Sequence, residues 1–194
     1  MKEKWLRTDE TLEAVSSLEM VAISLKNVEN DLYQWKWSIL ALHNSLQGFM
    51  VLALRGGSGL NCLKDHIAIE WLRAYRAGDK LPKEELDGFL NLYKKIKNPE
   101  RMRFYVNSKP FNPSGTQGDS IKRLNRLRNE FVHFVPKGWS LEITGLPNIF
   151  LDCLHIIEFL GWKCGNIFWH EKMNSKRAKR AISISKKTLK VLKI

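Results

Sequence analysis

The sequence has few cysteines, no evident export signal and no long apolar run. Its three cysteines, Cys62, Cys153 and Cys164, are an odd number without C-x-x-C spacing. This excludes a disulfide framework and favours a reducing, cytoplasmic setting. The first ten residues, MKEKWLRTDE, lack the apolar core of a secretory signal. The uncharged stretch 38–54 contains His43 and Gln47 and is too polar for a membrane span, so no membrane association is expected.

Several common catalytic and binding motifs are also missing. The chain contains no Walker motif, no G-x-G-x-x-G and no Ser-His-Asp spacing. Zinc-binding residue types occur at Cys153, His155, Cys164 and His170, but the first two lie two apart in a predicted helix and would face different ways. We therefore expect no metal site and no cofactor.

Acidic residues are absent from the C-terminal stretch, although basic residues are dense there. The 194-residue chain carries a net charge of +12, and residues 172–194 contain nine Lys or Arg and no Asp or Glu. Such a run is typical of a protein with a polyanionic partner, either nucleic acid or an anionic membrane surface, and equally of a solvated basic tail that maintains solubility. Six residues are predicted to bind nucleic acid: Lys176, Arg177, Lys179, Arg180, Lys186 and Lys187.

The spacing of apolar residues predicts an all-α fold. Apolar stripes at i+3/i+4 spacing recur along the chain, with no hairpin series and no internal repeat. The first predicted helix follows Thr8 or Asp9, the second runs from Asn30 or Asp31 to Leu54, and the third and fourth span 61–77 and 82–97. The fifth follows Asp119 or Ser120 and ends by Pro136, and the sixth runs from Pro147 to Gly161. Residues 140–144 are predicted to be extended. These elements predict a helical bundle over residues 1–165, with residues 166–194 as a basic extension of the same domain.

The predicted helix at 120–135 carries the densest set of reactive side chains. On a helical wheel, its apolar face comprises Ile121, Leu124, Leu127, Phe131 and Val135. Arg128 lies at the edge of that face, and Asn125, Asn129 and His133, each four residues apart, form an adjacent polar stripe. An arginine beside two amides and an imidazole suggests a polar groove between helices or between subunits.

These residue types suit the cleavage of RNA through its own 2′-hydroxyl. The guanidinium of Arg128 has a geometry that matches phosphate oxygens, and the imidazole of His133 can transfer protons near neutral pH. A structural interpretation stays open, in which Arg128 pairs with Glu70 or Glu158 and His133 is a helix-end histidine favoured by the helix dipole.

The segment RNEFVH, residues 128–133, resembles the R-x4-6-H motif of the HEPN superfamily in its Arg-Asn-x-x-x-His form. The stretch ALHNSLQGFMVLAL also resembles the second-helix region of such domains, and the similarity covers roughly residues 10–162. It implies an HEPN-like helical bundle that pairs as a homodimer, with two Arg and two His converging on one site. Many members are metal-independent endoribonucleases, often toxins or parts of anti-phage defence systems, while others are inactive binding or scaffolding modules.

The resemblance assigns roles to individual residues. Arg128, His133 and Asn129 are the expected catalytic groups, supported by Asn125, Glu130, His43 and Gln47. His43 lies in an apolar stripe, which predicts a hydrogen-bonded core histidine that shares a polar pocket with Gln47. RNA is the expected partner, and a toxin would also have a neutralising antitoxin or defence-system partner. Some toxins of this family carry a modified tyrosine two residues after the histidine, where this chain has Val135.

Overall fold

The computed structural model describes residues 3–133 and 136–192, and over these it is all-helical. The eight α-helices within the described part are α1 (Glu10–Leu25), α2 (Gln34–Leu54), α3 (Asp65–Ala77), α4 (Phe89–Ile96), α5 (Pro99–Met102), α6 (Gln117–Val132), α7 (Leu146–Trp162) and α8 (Lys172–Val191). The predicted fold class, an all-α bundle, is confirmed.

Helices α1 and α2 form a closely packed hairpin. Asp9 caps α1 by accepting a hydrogen bond from the Leu12 amide at 2.7 Å, as its position before the apolar stripe predicted. Gly48 of α2 lies where the helices touch, since a Cβ added there would come within 2.7 Å of the Ala14 Cβ. A glycine is required at this crossing because any side chain would push the two helices apart.

Helix α2 is the centre of the core. Its predicted apolar stripe is buried, with Ile39, Leu42, Leu46 and Phe49 fully inaccessible to solvent; Leu32 instead lies before the helix and is 64% exposed. By length and composition α2 is the one described helix that could cross a membrane, but 61% of the qualifying window is buried among the other helices. The buried core helix of a globular protein passes the same test of length and composition.

Two predicted helix starts were wrong. The 61–77 helix begins at Asp65, after a 3-10 turn at Leu60–Cys62, and the 82–97 helix begins at Phe89. Residues before Phe89 are instead tied to the preceding turn by an isolated bridge between Leu63 and Leu86. The buried Lys95 ammonium explains this arrangement, because its Nζ lies 2.8 Å from Asp87 and 2.9 Å from Asp65. Tertiary pairing of these charges outweighs the local preference of Pro82 for a helix start.

The boundaries of α6 also differ from those predicted. It begins at Gln117, before the predicted caps, because the Asp152 carboxylate accepts hydrogen bonds from Thr116 and Ser120 at 2.7 and 2.6 Å. It ends at Val132, ahead of Pro136. Residues 140–144 contain no strand. The last predicted core helix is confirmed as α7, Leu146–Trp162.

The basic extension is a folded helix, α8, packed against α1 and α7. Its apolar residues Ala178, Ala181, Ile182 and Leu189 are at most 4% exposed. On one side of this face the Arg177 guanidinium makes a two-pronged ion pair with Glu19 of α1, at 2.9 and 2.6 Å. The extension is therefore an integral layer of the bundle.

Candidate functional site

The apolar face of α6 fixes how the helix presents its polar side chains. Ile121, Leu124 and Leu127 are buried as the wheel predicted. Phe131 is half-buried, with its ring centroid 4.8 Å from that of Trp139 in the following loop. Val135, predicted to extend this face and to occupy the position of the modified tyrosine, lies outside the described residues. The anchored face holds the Asn125–Asn129 edge of α6 beside α2.

A hydrogen bond joins the polar edge of α6 to the core of α2. The His43 Nε2 lies 3.2 Å from the Asn125 Oδ1, and His43 is only 5% exposed. Since a carbonyl oxygen only accepts, the neutral ring carries its proton on Nε2 and donates it to Asn125. The imidazole also stacks on Phe89 of α4, with ring centroids 3.9 Å apart. His43 is thus the predicted hydrogen-bonded core histidine, and its partner is Asn125.

Burial keeps His43 uncharged. Loss of hydration lowers the pKa of the imidazole to about 4. The hydrogen bond that the ring donates to Asn125 opposes this shift, and the nearby positive charge of Arg128 adds to it. A buried imidazole with this pKa stays neutral at physiological pH and has no access to a substrate. His43 therefore positions Asn125.

Arg128 is half-buried and held within its own helix. Its Nη1 donates a hydrogen bond to the Asn129 Oδ1 at 3.0 Å. Neither carboxylate proposed as its ion-pair partner contacts it: Glu158 pairs with Lys186 at 2.6 Å, and Glu70 is exposed on α3. The structural interpretation of Arg128 as half of an ion pair was therefore wrong. No described carboxylate forms an ion pair with its guanidinium.

His133 stands at the C-terminal end of α6, exposed to solvent. Its backbone N–H donates to the Asn129 carbonyl at 2.9 Å, which makes it the residue that closes the helix. Its ring hydrogen-bonds to none of the described residues, and no bond joins it to Arg128. The structure thus brings Arg128, Asn129, Asn125 and His43 into one polar cluster, with His133 at its solvent end.

The remaining supporting residues contribute less. Glu130 is exposed and pairs with Lys137 at 2.9 Å, so its carboxylate points along the following loop. Gln47 is half-buried one turn beyond His43, and its side chain hydrogen-bonds to none of the described residues. Sequence reasoning missed Phe89, which covers the His43 ring; no spacing pattern links these two residues, because different helices supply them.

The six basic residues predicted to bind nucleic acid divide into two groups. Arg177 and Lys186 are half-buried in ion pairs with Glu19 and Glu158. The other four are exposed on α8: Lys176, Lys179, Arg180 and Lys187. Among the described residues, no group of three or more His, Cys, Asp and Glu side chains is arranged to hold a metal ion.

Comparison of the chain with protein-family models, with curated proteins and with solved structures found no match.

Proposed function

We propose that this protein is a metal-independent endoribonuclease, toxin-like or defence-associated, which acts in the cytoplasm as a homodimer. Its site would comprise Arg128, Asn129 and His133 from α6, facing the same residues of a second copy across a two-fold axis. The R-x4-6-H resemblance suggests this reaction.

Each residue has a specific role in the proposed reaction. His133 takes the proton of the 2′-hydroxyl or protonates the leaving 5′-oxygen. Arg128 holds the scissile phosphate and stabilises the additional negative charge of the transition state, while Asn129 orients the guanidinium. The 2′-oxygen displaces the 5′-oxygen, giving a 2′,3′-cyclic phosphate and a free 5′-hydroxyl.

The observation that carries the proposal is the difference in environment between the two histidines, His43 and His133. His43 is buried, neutral and bonded to Asn125, whereas His133 is exposed at the C-terminal end of α6, the helix that also carries Arg128. Phosphate-ester cleavage can use both an accessible imidazole and a restrained guanidinium, and α6 supplies one of each.

The direct test is cleavage of purified RNA in the presence of EDTA. The parent protein should cut and leave cyclic phosphate ends, and His133→Ala should lose activity by about 10²–10⁴-fold, the usual contribution of a general acid or base. His155→Gln, which changes another exposed histidine on α7, should cut like the parent. A parent that does not cut, or a His133→Ala variant that cuts normally, contradicts the proposal.

The dimeric site has its own test, because Arg128 and His133 make no bond within one chain. If each reaction uses the arginine of one chain and the histidine of its partner, mixing inactive Arg128→Lys and His133→Ala proteins should restore activity. Random pairing would restore about a quarter of the parent activity, since half the dimers would each hold one intact pair. An inactive mixture, with subunit exchange verified, excludes this shared site.

A non-catalytic module that binds RNA, a nucleotide or a protein is the second candidate. It is favoured by one observation: no described residue orients the His133 ring, unlike the imidazole of His43. This candidate predicts RNA binding without cleavage by the parent protein.

A further inference from the structure

We infer that the groove between α7 and α8 is a binding track for the phosphate backbone of single-stranded RNA. The inference deepens the proposed function and rests on it only in taking RNA as the ligand. The groove is open and has a volume of about 510 Å³. It is lined by Trp162 and by five lysines, Lys163, Lys179, Lys186, Lys187 and Lys190.

The two helices place these lysines along a single depression. Lys163 follows the C-terminal end of α7, and the other four project from α8. Burial of the apolar face of α8 against α1 and α7 leaves this edge of the helix turned toward the groove. Lys163 lies outside the basic run of the sequence, so folding creates a site that the run alone does not define.

Charge in the groove is strongly one-sided. Its single lining carboxylate is Glu158, which Lys186 neutralises at 2.6 Å. The remaining four lysines carry positive charge without a carboxylate partner among the described residues. A concave surface with several cations concentrates phosphate groups far more than isolated surface lysines do.

Trp162 forms part of the groove wall and is poorly placed to stack on RNA bases. Its indole N–H donates to the Ser175 hydroxyl at 3.0 Å, and its ring stacks on Trp169 with centroids 5.4 Å apart. The Lys179 Nζ also lies 5.4 Å from the Trp162 ring centroid. Because these partners occupy the ring surface, we assign recognition to phosphates, which predicts little dependence on base sequence.

A strand of RNA fits this groove better than an anionic membrane does. Basic helices bind membranes by inserting an apolar face beneath the headgroups. In α8 that face is already buried, with Ala178 and Ala181 at 0% and 3% exposure. The lysines line a depression, which a narrow phosphate chain can enter and a flat bilayer cannot.

The test compares RNA binding by two double variants, each of which loses two positive charges from α8. Lys187→Gln with Lys190→Gln removes two groove lysines. Lys176→Gln with Arg180→Gln removes two exposed charges of α8 that the basic run predicted to bind nucleic acid but that do not line the groove, so the inference excludes them from the binding site. A labelled single-stranded RNA without secondary structure is the probe, measured by fluorescence anisotropy over a range of salt concentrations. All proteins also carry His133→Ala, so that the RNA stays intact.

The groove pair should bind more weakly, and the slope of log K against log salt should fall by about 1.4, or about 0.7 for each lost phosphate contact on a single strand. The outer pair should stay close to the parent. Lys163→Gln should lower the slope by about 0.7. All these residues are exposed, so equal melting temperatures are expected and verify folding.

Three results overturn the inference. Equal weakening by both pairs means that charge acts diffusely over α8. Unchanged binding by the groove pair and by Lys163→Gln means that RNA binds elsewhere. Binding to phosphatidylserine vesicles without binding to RNA identifies a membrane ligand. None of these results depends on cleavage, so the nuclease proposal is tested separately by the cleavage assay in EDTA.

Discussion

The α6 cluster and the α7–α8 groove are both positively charged, but they are built in opposite ways. In the cluster, a few polar groups are fixed by burial and by specific bonds, such as the 3.2 Å contact between His43 and Asn125. In the groove, five lysines line an open depression and share little bonding. Orienting a phosphate for a reaction requires the first arrangement, because the groups that bind it must be held in place. Attraction of a charged chain requires only the second.

The difference determines how each region should respond to mutation. Changes in the cluster should depend on the identity of the side chain, because geometry and protonation matter there. Changes in the groove should depend mainly on charge, and each should have a small effect. The following predictions test this contrast.

The largest difference is expected from replacing arginine with lysine in each region. Arg128→Lys keeps the charge but loses the planar fork that binds two phosphate oxygens, so cleavage should fall by about 10²-fold or more. Arg180→Lys, on the exposed side of α8, should leave both cleavage and binding unchanged. Initial rates with saturating RNA measure the effect. Equal, small losses in the two variants would show that Arg128 also acts as a simple charge.

Protonation of His43 should make stability depend on pH. Its pKa is about 4 in the folded protein against 6.5 normally, so between these values the unfolded chain binds more protons. The free energy of unfolding should therefore fall as the pH drops from about 6.5 to about 4, by about 3 kcal/mol from this group. Urea unfolding at several pH values measures it.

Two variants isolate the contribution of His43. His43→Leu should flatten the pH dependence in that window, whereas His155→Gln, at an exposed position, should retain it. An unchanged profile in His43→Leu would assign the effect to other groups.

Removing the partner of His43 should also destabilise the fold. Asn125→Ala leaves a buried Nε2–H without its acceptor, which should cost about 1–3 kcal/mol. Asn129→Ala, which loses only a half-buried bond to Arg128, should cost less but should reduce cleavage. Chemical denaturation and RNA cleavage, measured on both variants, separate an amide that supports the fold from one that is proposed to act in cleavage. A larger stability loss in Asn129→Ala would reverse these assignments.

The smallest effect is expected where α8 joins α1. Arg177 and Glu19 form a two-pronged ion pair, but both side chains are 35% exposed, so solvent screens their attraction. Glu19→Gln should lower stability by about 0.5–1 kcal/mol, and the loss should shrink at high salt. Thermal melts at two salt concentrations provide the measurement. A salt-independent loss would indicate a packing defect instead.

Local patterns predicted most of the bundle, because long amphipathic helices show a regular i+3/i+4 spacing of apolar residues in the sequence. The Asp9 cap, the α2 stripe apart from Leu32, and the burial of Ile121, Leu124 and Leu127 on α6 were predicted correctly. The start of α4 was not, because it depends on Lys95 meeting Asp87 and Asp65 from other parts of the chain. Such pairings leave no local signature.

The same limit applies to the sites. Helical spacing grouped Arg128, Asn129 and His133, since all three lie on one helix. It did not reveal that His43 bonds to Asn125, which stands 82 residues away. Nor did the basic run indicate that Lys163 joins the groove, because only the packing of α7 on α8 brings it there.

The contact between α1 and α8 has a consequence for the newly made chain. Glu19 emerges from the ribosome 158 residues before its partner Arg177. The surface of α1 that packs against α8 therefore stays exposed while the intervening helices are translated. A chain interrupted before α8 would expose the surface that Ala178 and Ile182 normally cover, and quality-control proteases would recognise it. The core of the bundle is therefore fully covered only after α8 has been translated.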